Sequence, residues 1–201
     1  MTAPRTLMPR QERRAQLLAA AAAAFARGGF SGTSMDDVAA EAGITRLIVY
    51  RHFDSKEQLY RQVLDNVTRH LRDEFPLAEP TPRDPARAFL ATARADPDGF
   101  VLLFHQAAHE AQFSEYATEV RRRVDAVAEH LIGGAVTDKV VRRWAGHTVV
   151  AYLVEATIGW IETGTPARDD EFVTMTTAGL TAMYLAWVSA ATGHRRGRGS
   201  R

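Results

Sequence analysis

The chain has 201 residues, of which 46% are hydrophobic and 24% are charged, and its formal net charge is +1. This composition is ordinary for a globular protein, and the length is sufficient for a sizeable core in one or two domains. The chain contains no cysteine, which excludes disulfides, thiolate metal sites and cysteine nucleophiles and is typical of a cytoplasmic protein.

The positive charge is concentrated near the two ends of the chain. Residues 1–56 carry eight Lys or Arg against five Asp or Glu, and the last eight residues, HRRGRGSR, carry four arginines and no acid. This distribution indicates local contact with a polyanion. No segment reaches the roughly 20 apolar residues of a membrane span. The apolar run at 17–26 is interpreted as a helix rather than a secretory signal because it is mostly alanine.

Three short helices are predicted in the first quarter of the chain. Residues 10–27 form the first, which ends at Gly28-Gly29. Thr33 or Ser34 can cap the second, because an acid follows each of them three residues later. Gly43 can adopt the positive φ of a tight turn, after which Thr45 is a candidate cap for the third helix.

The third helix has an inward and an outward side. Val49 and Phe53 are four residues apart and are predicted to be buried. The outward side carries two arginines, a leucine and a tyrosine: Arg46, Leu47, Tyr50 and Arg51. Insertion into the major groove of DNA explains why such side chains would be exposed. Because two short helices cannot bury enough surface alone, the first helix is expected to complete a three-helix DNA-binding module.

The rest of the chain is also predicted to be helical. Ser55, with Gln58 three residues later, begins a connecting helix that continues to about Phe75. Four prolines between 76 and 85 follow it. The later helices are predicted over about 85–95, 97–111, 112–132, 139–162 and 169–191.

The predicted fold class is therefore all-α, with two domains. An N-terminal three-helix helix-turn-helix module at residues 10–56 precedes a larger helical ligand-binding and dimerisation domain at residues 57–192. Residues 1–9 and 193–201 are predicted to be a flexible arm and tail.

The last two helices carry more apolar surface than a monomeric bundle needs. Part of this surface is predicted to be a homodimer interface, to which each subunit contributes two helices. The candidate interface residues are Val149, Leu153, Trp160, Leu180, Met183 and Trp187. The alternative is that all of this surface packs within one chain.

Two segments, GTSMDDVAAEAGI and TRLIVYRHFDSKEQLY, carry a family resemblance. With their aromatic-rich Tyr50-Arg51-His52-Phe53 and the Ser55-Lys56 pair, residues 10–60 resemble the TetR family of bacterial transcriptional regulators. The resemblance covers roughly a quarter of the chain and implies a set of DNA contacts. The candidate DNA-binding residues are Thr33, Thr45, Arg46, Leu47, Tyr50, Arg51, His52 and Lys56.

The resemblance assigns different roles within this set. Thr45 and Arg46 would contact DNA at the start of the helix, Tyr50 and His52 would reach phosphates, and Lys56 would hold the DNA backbone. The Arg51 fork suits guanine O6 and N7. The chain departs from the family pattern at Leu47 and Ile48, where base contact is favoured for Leu47 and burial for Ile48.

The resemblance also implies a small-molecule cavity in the C-terminal domain, whose filling reorients the DNA-binding modules. Candidate lining residues are Phe89, Phe100, Phe104, His105, His109, Trp144, Tyr152 and Glu155, although the aromatic residues among them could simply be core. Glu155 lies within an apolar helix, where a carboxylate must be paired, protonated or solvated in a cavity. Arg121, Arg122 or His147 could be its partner. His105 and His109 could hold a metal with Glu110 or Glu155, but the spacing fixes no third ligand.

These patterns predict a sequence-specific transcriptional regulator, a repressor released by a small and largely apolar ligand. It would be a cytoplasmic homodimer on a palindromic or near-palindromic double-stranded DNA operator, without cofactor, bound metal or membrane. One alternative is an architectural DNA-binding protein with a solid core in place of a cavity. The other is an enzyme using the His105/Glu155 region, against which stands the lack of a nucleophile motif or phosphate-binding glycine loop.

Overall fold

The computed structural model describes residues 9–75, 84–134 and 136–198, with side chains as far as residue 190. These ranges are helical and contain no β-strand, which confirms the all-α fold class. The α-helices are α1 (Arg10–Gly32), α2 (Met35–Glu41), α3 (Arg46–Tyr50), α4 (Lys56–Glu74), α5 (Pro85–Ala95), α6 (Pro97–Val101), α7 (Ser114–Ile132), α8 (Lys139–Thr163) and α9 (Asp169–Arg198).

A glycine kink divides α1. Gly29 has φ 67° and ψ 173°, which are not helical angles, and one further turn of helix follows it. The kink places Phe30 in the core, where its ring centroid lies 5.3 Å from that of Tyr60 and 5.0 Å from that of Phe113. The predicted end of the helix at Gly28-Gly29 is therefore a sharp bend that buries an aromatic side chain.

The kink gives a direct test of backbone strain. Gly29→Ala should lower the free energy of unfolding by about 1–3 kcal/mol, because L side chains rarely adopt this region of φ and ψ. Gly32→Ala is the matched control, since a Cβ there meets nothing within 4 Å, and should change stability by less than about 1 kcal/mol. Urea unfolding of both variants measures the difference, and equal losses would contradict a strained Gly29.

The helix-turn-helix follows from local signals. Ser34 caps α2 in a reciprocal arrangement with Asp37, and Gly43 turns the chain at φ 65°. Val49 and Phe53 are buried, as their spacing predicts. Thr45 precedes α3, but its side chain makes no capping hydrogen bond.

A continuous hydrophobic core connects the helix-turn-helix with the later helices. α4 packs on α1 and α5, α5 packs on α8 and α9, and α7 packs along α8. Ser55 caps α4 by accepting from the Gln58 amide at 3.1 Å. The Gln58 side chain accepts from the Asp54 amide instead of completing a capping box with Ser55.

The structure corrects two predicted element boundaries. The helix predicted at 97–111 is divided into α6, a π-helical turn at Leu102–Gln106 and a 3-10 turn at Ala107–His109. The Ala107 amide bonds to the carbonyl five residues earlier, which inserts one extra residue into the turn. The predicted tail from residue 193 is helical as far as Arg198; residues 199–201 of the tail and 1–8 of the arm lie outside the described residues.

α9 is unusually exposed for an apolar helix. Of the described segments, only Pro166–Ala190 is long and apolar enough to cross a membrane by length and composition, and 17% of its most apolar window is buried. A single helix of this kind is weak evidence for a membrane span. An exposed apolar helix is equally a surface for a protein partner.

Candidate DNA-binding surface and ligand cavity

α3 presents its polar and basic side to solvent. Leu47 is 64% exposed, and Arg46, Tyr50 and Arg51 are exposed beside it. Ile48 is half-buried, which lies between full burial and the exposure that contact with a base would need. The exposure predicted for this face is confirmed, and contact of its residues with DNA stays a prediction.

Arg46 is held in place by two neighbouring side chains. Its guanidinium lies 2.8 Å from the Asp36 carboxylate, donates to the Tyr50 hydroxyl at 3.3 Å and lies over the Tyr50 ring. The hydrogen bond to Tyr50 and the charge of Asp36 raise the pKa of Arg46 further. A DNA phosphate or base edge that binds this arginine would therefore replace Asp36 as its partner.

Three arginines at the start of α1 extend this basic surface. Arg10, Arg13 and Arg14 lie close enough to His52 to lower its pKa, in addition to the larger effect of its burial. Arg14 also lies over the Phe53 ring, with 5.4 Å between guanidinium carbon and ring centroid. The sequence shows the charge of this segment, but only the packing of α1 against α2 and α4 places it beside α3.

His52 provides a pH-dependent test of the surface. Its pKa is below the ordinary 6.5 in the free protein, and nearby phosphates would raise it in the complex. Binding then takes up a proton, so operator affinity should increase as the pH falls below about 6.5. Fluorescence anisotropy at several pH values measures this dependence. We expect it to be weaker in His52→Gln and unchanged in His130→Gln, and an identical dependence in both variants would contradict the assignment.

The structure corrects one of the predicted DNA contacts and gives a second residue an additional, structural role. The Thr33 side chain is buried, and its hydroxyl donates to the Ala24 carbonyl at 3.2 Å, so it is not available to DNA. Lys56 donates to the carbonyls of Phe30 (2.8 Å) and Thr33 (3.0 Å). The kink leaves these carbonyls without helical partners, which explains why they need a side-chain donor. Lys56 is thus not simply a solvated lysine, but its ammonium group keeps a third N–H donor, and its contact with a DNA phosphate stays a prediction.

Replacing Lys56 should therefore affect stability more than electrostatics. Lys56→Met keeps the aliphatic part of the side chain but leaves the two carbonyls unpaired, and should cost about 1–2 kcal/mol of unfolding free energy. Lys139→Met removes an exposed lysine and should leave stability nearly unchanged. Thermal unfolding compares the two variants. Equal stability of the two variants would show that the hydrogen bonds of Lys56 contribute nothing measurable to the free energy of unfolding.

Comparisons with known proteins agree with this geometry. The family described as "Bacterial regulatory proteins, tetR family" matches residues 17–63, which span the helix-turn-helix and the start of α4. Residues 17–63 of the chain therefore form a TetR-family DNA-binding domain. The protein is accordingly a sequence-specific DNA-binding transcriptional regulator.

Relatives of the chain include both an activator and a repressor. The transcriptional activator FasR of Mycolicibacterium smegmatis is 29% identical over 83% of this chain and 80% of its own length. A transcriptional repressor of Mycobacterium tuberculosis is 39% identical over 45% of this chain and 50% of its own length. A TetR-like regulator from Rhodococcus sp. RHA1 has a similar fold, with a TM-score of 0.62 and 22% identity over 87% of this chain and 99% of its own.

A cavity of about 480 Å³ lies in the C-terminal region of the chain, between α4, α5, α7, α8 and α9. Its wall is almost entirely apolar. The lining residues are Thr68, Leu71, Arg72, Phe75, Pro85, Phe89, Val120, Arg123, Val124, Val127, Ala128, Leu131, Ile132, Val149, Val150, Leu153, Leu180, Tyr184 and Trp187. The volume is that of a typical small-molecule site.

Only one of the predicted lining residues, Phe89, reaches this cavity. Phe100 and Phe104 instead pack in the core, with 4.8 Å between ring centroids. Trp144 is exposed beside Trp187, and the Tyr152 hydroxyl lies against the backbone of Gly179.

The predicted polar residues of the cavity lie on the surface. His105 Nε2 is 2.8 Å from Glu155 Oε1, so the partner of Glu155 is His105 and not Arg121, Arg122 or His147. His109 Nδ1 donates to the His105 carbonyl at 3.0 Å. Among the described residues, no group of three or more metal-ligating side chains comes together.

The predicted dimer residues are also placed differently. Leu153 is buried within the chain, and Trp160 stacks on Phe172 and donates to Asp169 at 2.8 Å. Val149, Leu180 and Trp187 line the cavity, while Met183 is half-buried. The side of α8 that was assigned to the dimer therefore forms a wall of the cavity. The exposed apolar side chains of α8 and α9 are others: Val140, Val141, Trp144, Met175, Tyr184 and Leu185.

A cluster of contacts connects α1 with the segment before α7. The Phe30 amide donates to Glu110 at 3.1 Å, and the Gln106 side chain donates to the Ala26 carbonyl at 3.2 Å. Phe113 lies 4.4 Å from Tyr60 between ring centroids. The kinked end of α1 is thus bonded both to α4, through Lys56, and to the residues that precede α7.

Proposed function

We propose that the protein is a homodimeric repressor that leaves its operator when a small molecule occupies the cavity. The observation that carries this proposal is that α4 serves both sites. Leu71, Arg72 and Phe75 at its C-terminal end line the cavity, while Lys56 at its N-terminal end bonds to the backbone of the DNA-binding module. Arg72 is sixteen positions after Lys56 along the helix, a distance of about 24 Å.

The proposed domain division follows this arrangement. Residues 10–56 bind DNA, and residues 57–192 bind the effector and the second subunit. Binding changes operator affinity only if the effector prefers one of two dimer shapes. A displacement of the C-terminal end of α4 would move the recognition helix, because α4 is continuous and its first residue is bonded to the turn before α2.

The exposed apolar side chains of α8 and α9 support a homodimer. Trp144, Met175 and Leu185 are among the most exposed large hydrophobic side chains of the described chain. Two helices from each subunit would bury them in a four-helix contact, and a two-fold dimer reads a palindromic or near-palindromic operator. Sedimentation at micromolar concentration tests this. A monomer would contradict it.

Two observations favour a ligand-released regulator over the alternatives. An architectural protein has no need of a cavity of about 480 Å³ with an apolar wall. His105 and Glu155 are both exposed and do not line the apolar cavity, and we infer that the protein regulates transcription in the cytoplasm without catalysis. Repression is proposed because the simplest effect of an effector that displaces α4 is to lower the affinity of the protein for its operator.

The proposal is tested by selecting bound sites from random DNA and then screening compounds that release the selected site. Ala128→Phe places a ring in the cavity and should keep operator binding but lose release by the active compounds. Ala126→Phe, on the exposed side of the same helix, is the matched control and should respond normally. If neither a compound nor the filled cavity affects the operator complex, the proposed function is wrong.

A further inference from the structure

We infer that the effector is an amphiphile with an apolar body and a single anionic head group, which Arg72 and Arg123 bind at the mouth of the cavity. This inference rests on the proposed function and names the ligand class of that site. It depends on three properties of the cavity: the charges that line it, where those charges lie, and which of them lack partners.

The charges that line the cavity have one sign. Among the described residues, its wall contains Arg72 and Arg123 but no aspartate, glutamate, histidine or lysine. Its other polar groups are the hydroxyl groups of Thr68 and Tyr184 and the indole N–H of Trp187. A cationic ligand would meet two like charges in this wall, whereas an anion would meet two complementary charges, of which Arg123 is also paired with Glu119 beside the wall.

The two arginines lie at the solvent end of the cavity. Both are exposed, while Phe89, Val150 and Leu153 on the same wall are buried. A ligand that fills the site therefore meets an apolar floor and a basic rim. This order of apolar and basic groups matches an extended apolar body with its acidic group at one end.

Both guanidinium groups retain free donors. In the described part of the chain, the Arg72 side chain has no hydrogen-bond or ion-pair partner. The helix dipole would be enough to explain an arginine in the last turn of α4. Arg123 lies in the middle of α7, where that explanation fails. It bonds to Glu119 through Nε alone, at 2.6 Å, and Glu119 is also held by two bonds from Arg122. Planar forks with free N–H groups suit carboxylate and phosphate.

The position of Arg72 gives the anion a mechanical role. Arg72 belongs to α4, whose other end holds the DNA-binding module, and Arg123 belongs to α7. An anion between them would connect the two helices. The head group would thus act on the connecting helix itself, while the apolar body supplies most of the buried surface.

Four twelve-carbon probes test this inference below their micelle concentrations: dodecanoic acid, dodecyl phosphate, dodecanol and dodecylamine. Binding is measured by calorimetry on the full chain, and release of the selected operator is measured in parallel. The acid or the phosphate should bind about tenfold or more tightly than the alcohol, because a charge-assisted hydrogen bond is added. The relative affinity of the two anions distinguishes carboxylate from phosphate recognition.

Matched variants assign the effect to the rim. Arg72→Gln and Arg123→Gln should each remove most of the advantage of the anions over dodecanol, while dodecanol binding stays unchanged. Arg69→Gln removes an exposed arginine of α4 that does not line the cavity and should behave like the unmodified protein.

The outcomes separate the inference from the proposed function. Equal or tighter binding of dodecanol or dodecylamine overturns the anionic head group but leaves the cavity as a ligand site. The anionic head group is also overturned, and the cavity again remains a ligand site, if no probe binds but another screened compound releases the operator and Ala128→Phe prevents this release. Failure of every compound to release the operator overturns the proposed function itself.

Discussion

Replacing Phe113 by alanine should lower the free energy of unfolding by about 3–5 kcal/mol. Phe113 is 2% exposed and its ring contacts those of Phe30 and Tyr60, so truncation leaves a void between three elements that are distant in sequence. The surrounding helices cannot close this void easily, because Phe30 is fixed by the bend at Gly29. Urea unfolding of the full chain measures the loss.

The comparison for Phe113 is another phenylalanine outside this cluster. Phe104 is only partly buried, against the main core, and Phe104→Ala should cost less than Phe113→Ala. We also expect Phe113→Ala to reduce the effect of the effector on operator affinity, because the ring joins α4 to the segment before α7. A loss below about 1 kcal/mol for Phe113→Ala would mean that the cluster is loosely packed.

Removing the recognition arginines should have the largest effect on operator binding. Arg46→Ala and Arg51→Ala should each weaken binding to the selected operator by about 1–3 kcal/mol, with a much smaller loss on random DNA. Both side chains are exposed on α3, so neither substitution removes a core contact. Anisotropy titrations against both DNAs, at one fixed salt concentration, measure the two losses.

Asp36 provides an informative control for Arg46. Asp36→Asn removes the carboxylate that holds Arg46 in the free protein, and should leave operator affinity unchanged or increase it. Arg168→Ala, which removes an arginine paired with Glu171 at the start of α9, should have no effect. Equal losses on operator and random DNA for Arg46→Ala would show that this side chain contacts phosphate and not bases.

Local patterns predicted the helix-turn-helix in detail. The capping of α2 by Ser34, the positive φ of Gly43 and the burial of Val49 and Phe53 each depend on residues within a few positions. The bounds of α5 agree for the same reason, because Pro85 at its start and Asp96 at its end act locally.

Contacts between distant residues were not predictable in this way. From Trp144 onward α8 is apolar nearly all round, so its sequence does not reveal which side faces the cavity, and it predicts Val149 and Leu153 in the dimer interface instead. Lys56 bonds to carbonyls that become available only because α1 bends at Gly29. The pairing of Glu155 with His105 depends on how α8 packs against the π-helical turn.

The position of α9 has a consequence for measurements of effector affinity. Leu180 and Trp187 of this helix line the cavity, while Met175 and Leu185 are exposed on its other sides. In the proposed dimer, the same helix would therefore be a wall of the ligand site and part of the subunit contact. By thermodynamic linkage, an effector that strengthens or weakens subunit association must itself bind more or less tightly as subunits associate. Its apparent dissociation constant would then change as the protein is diluted.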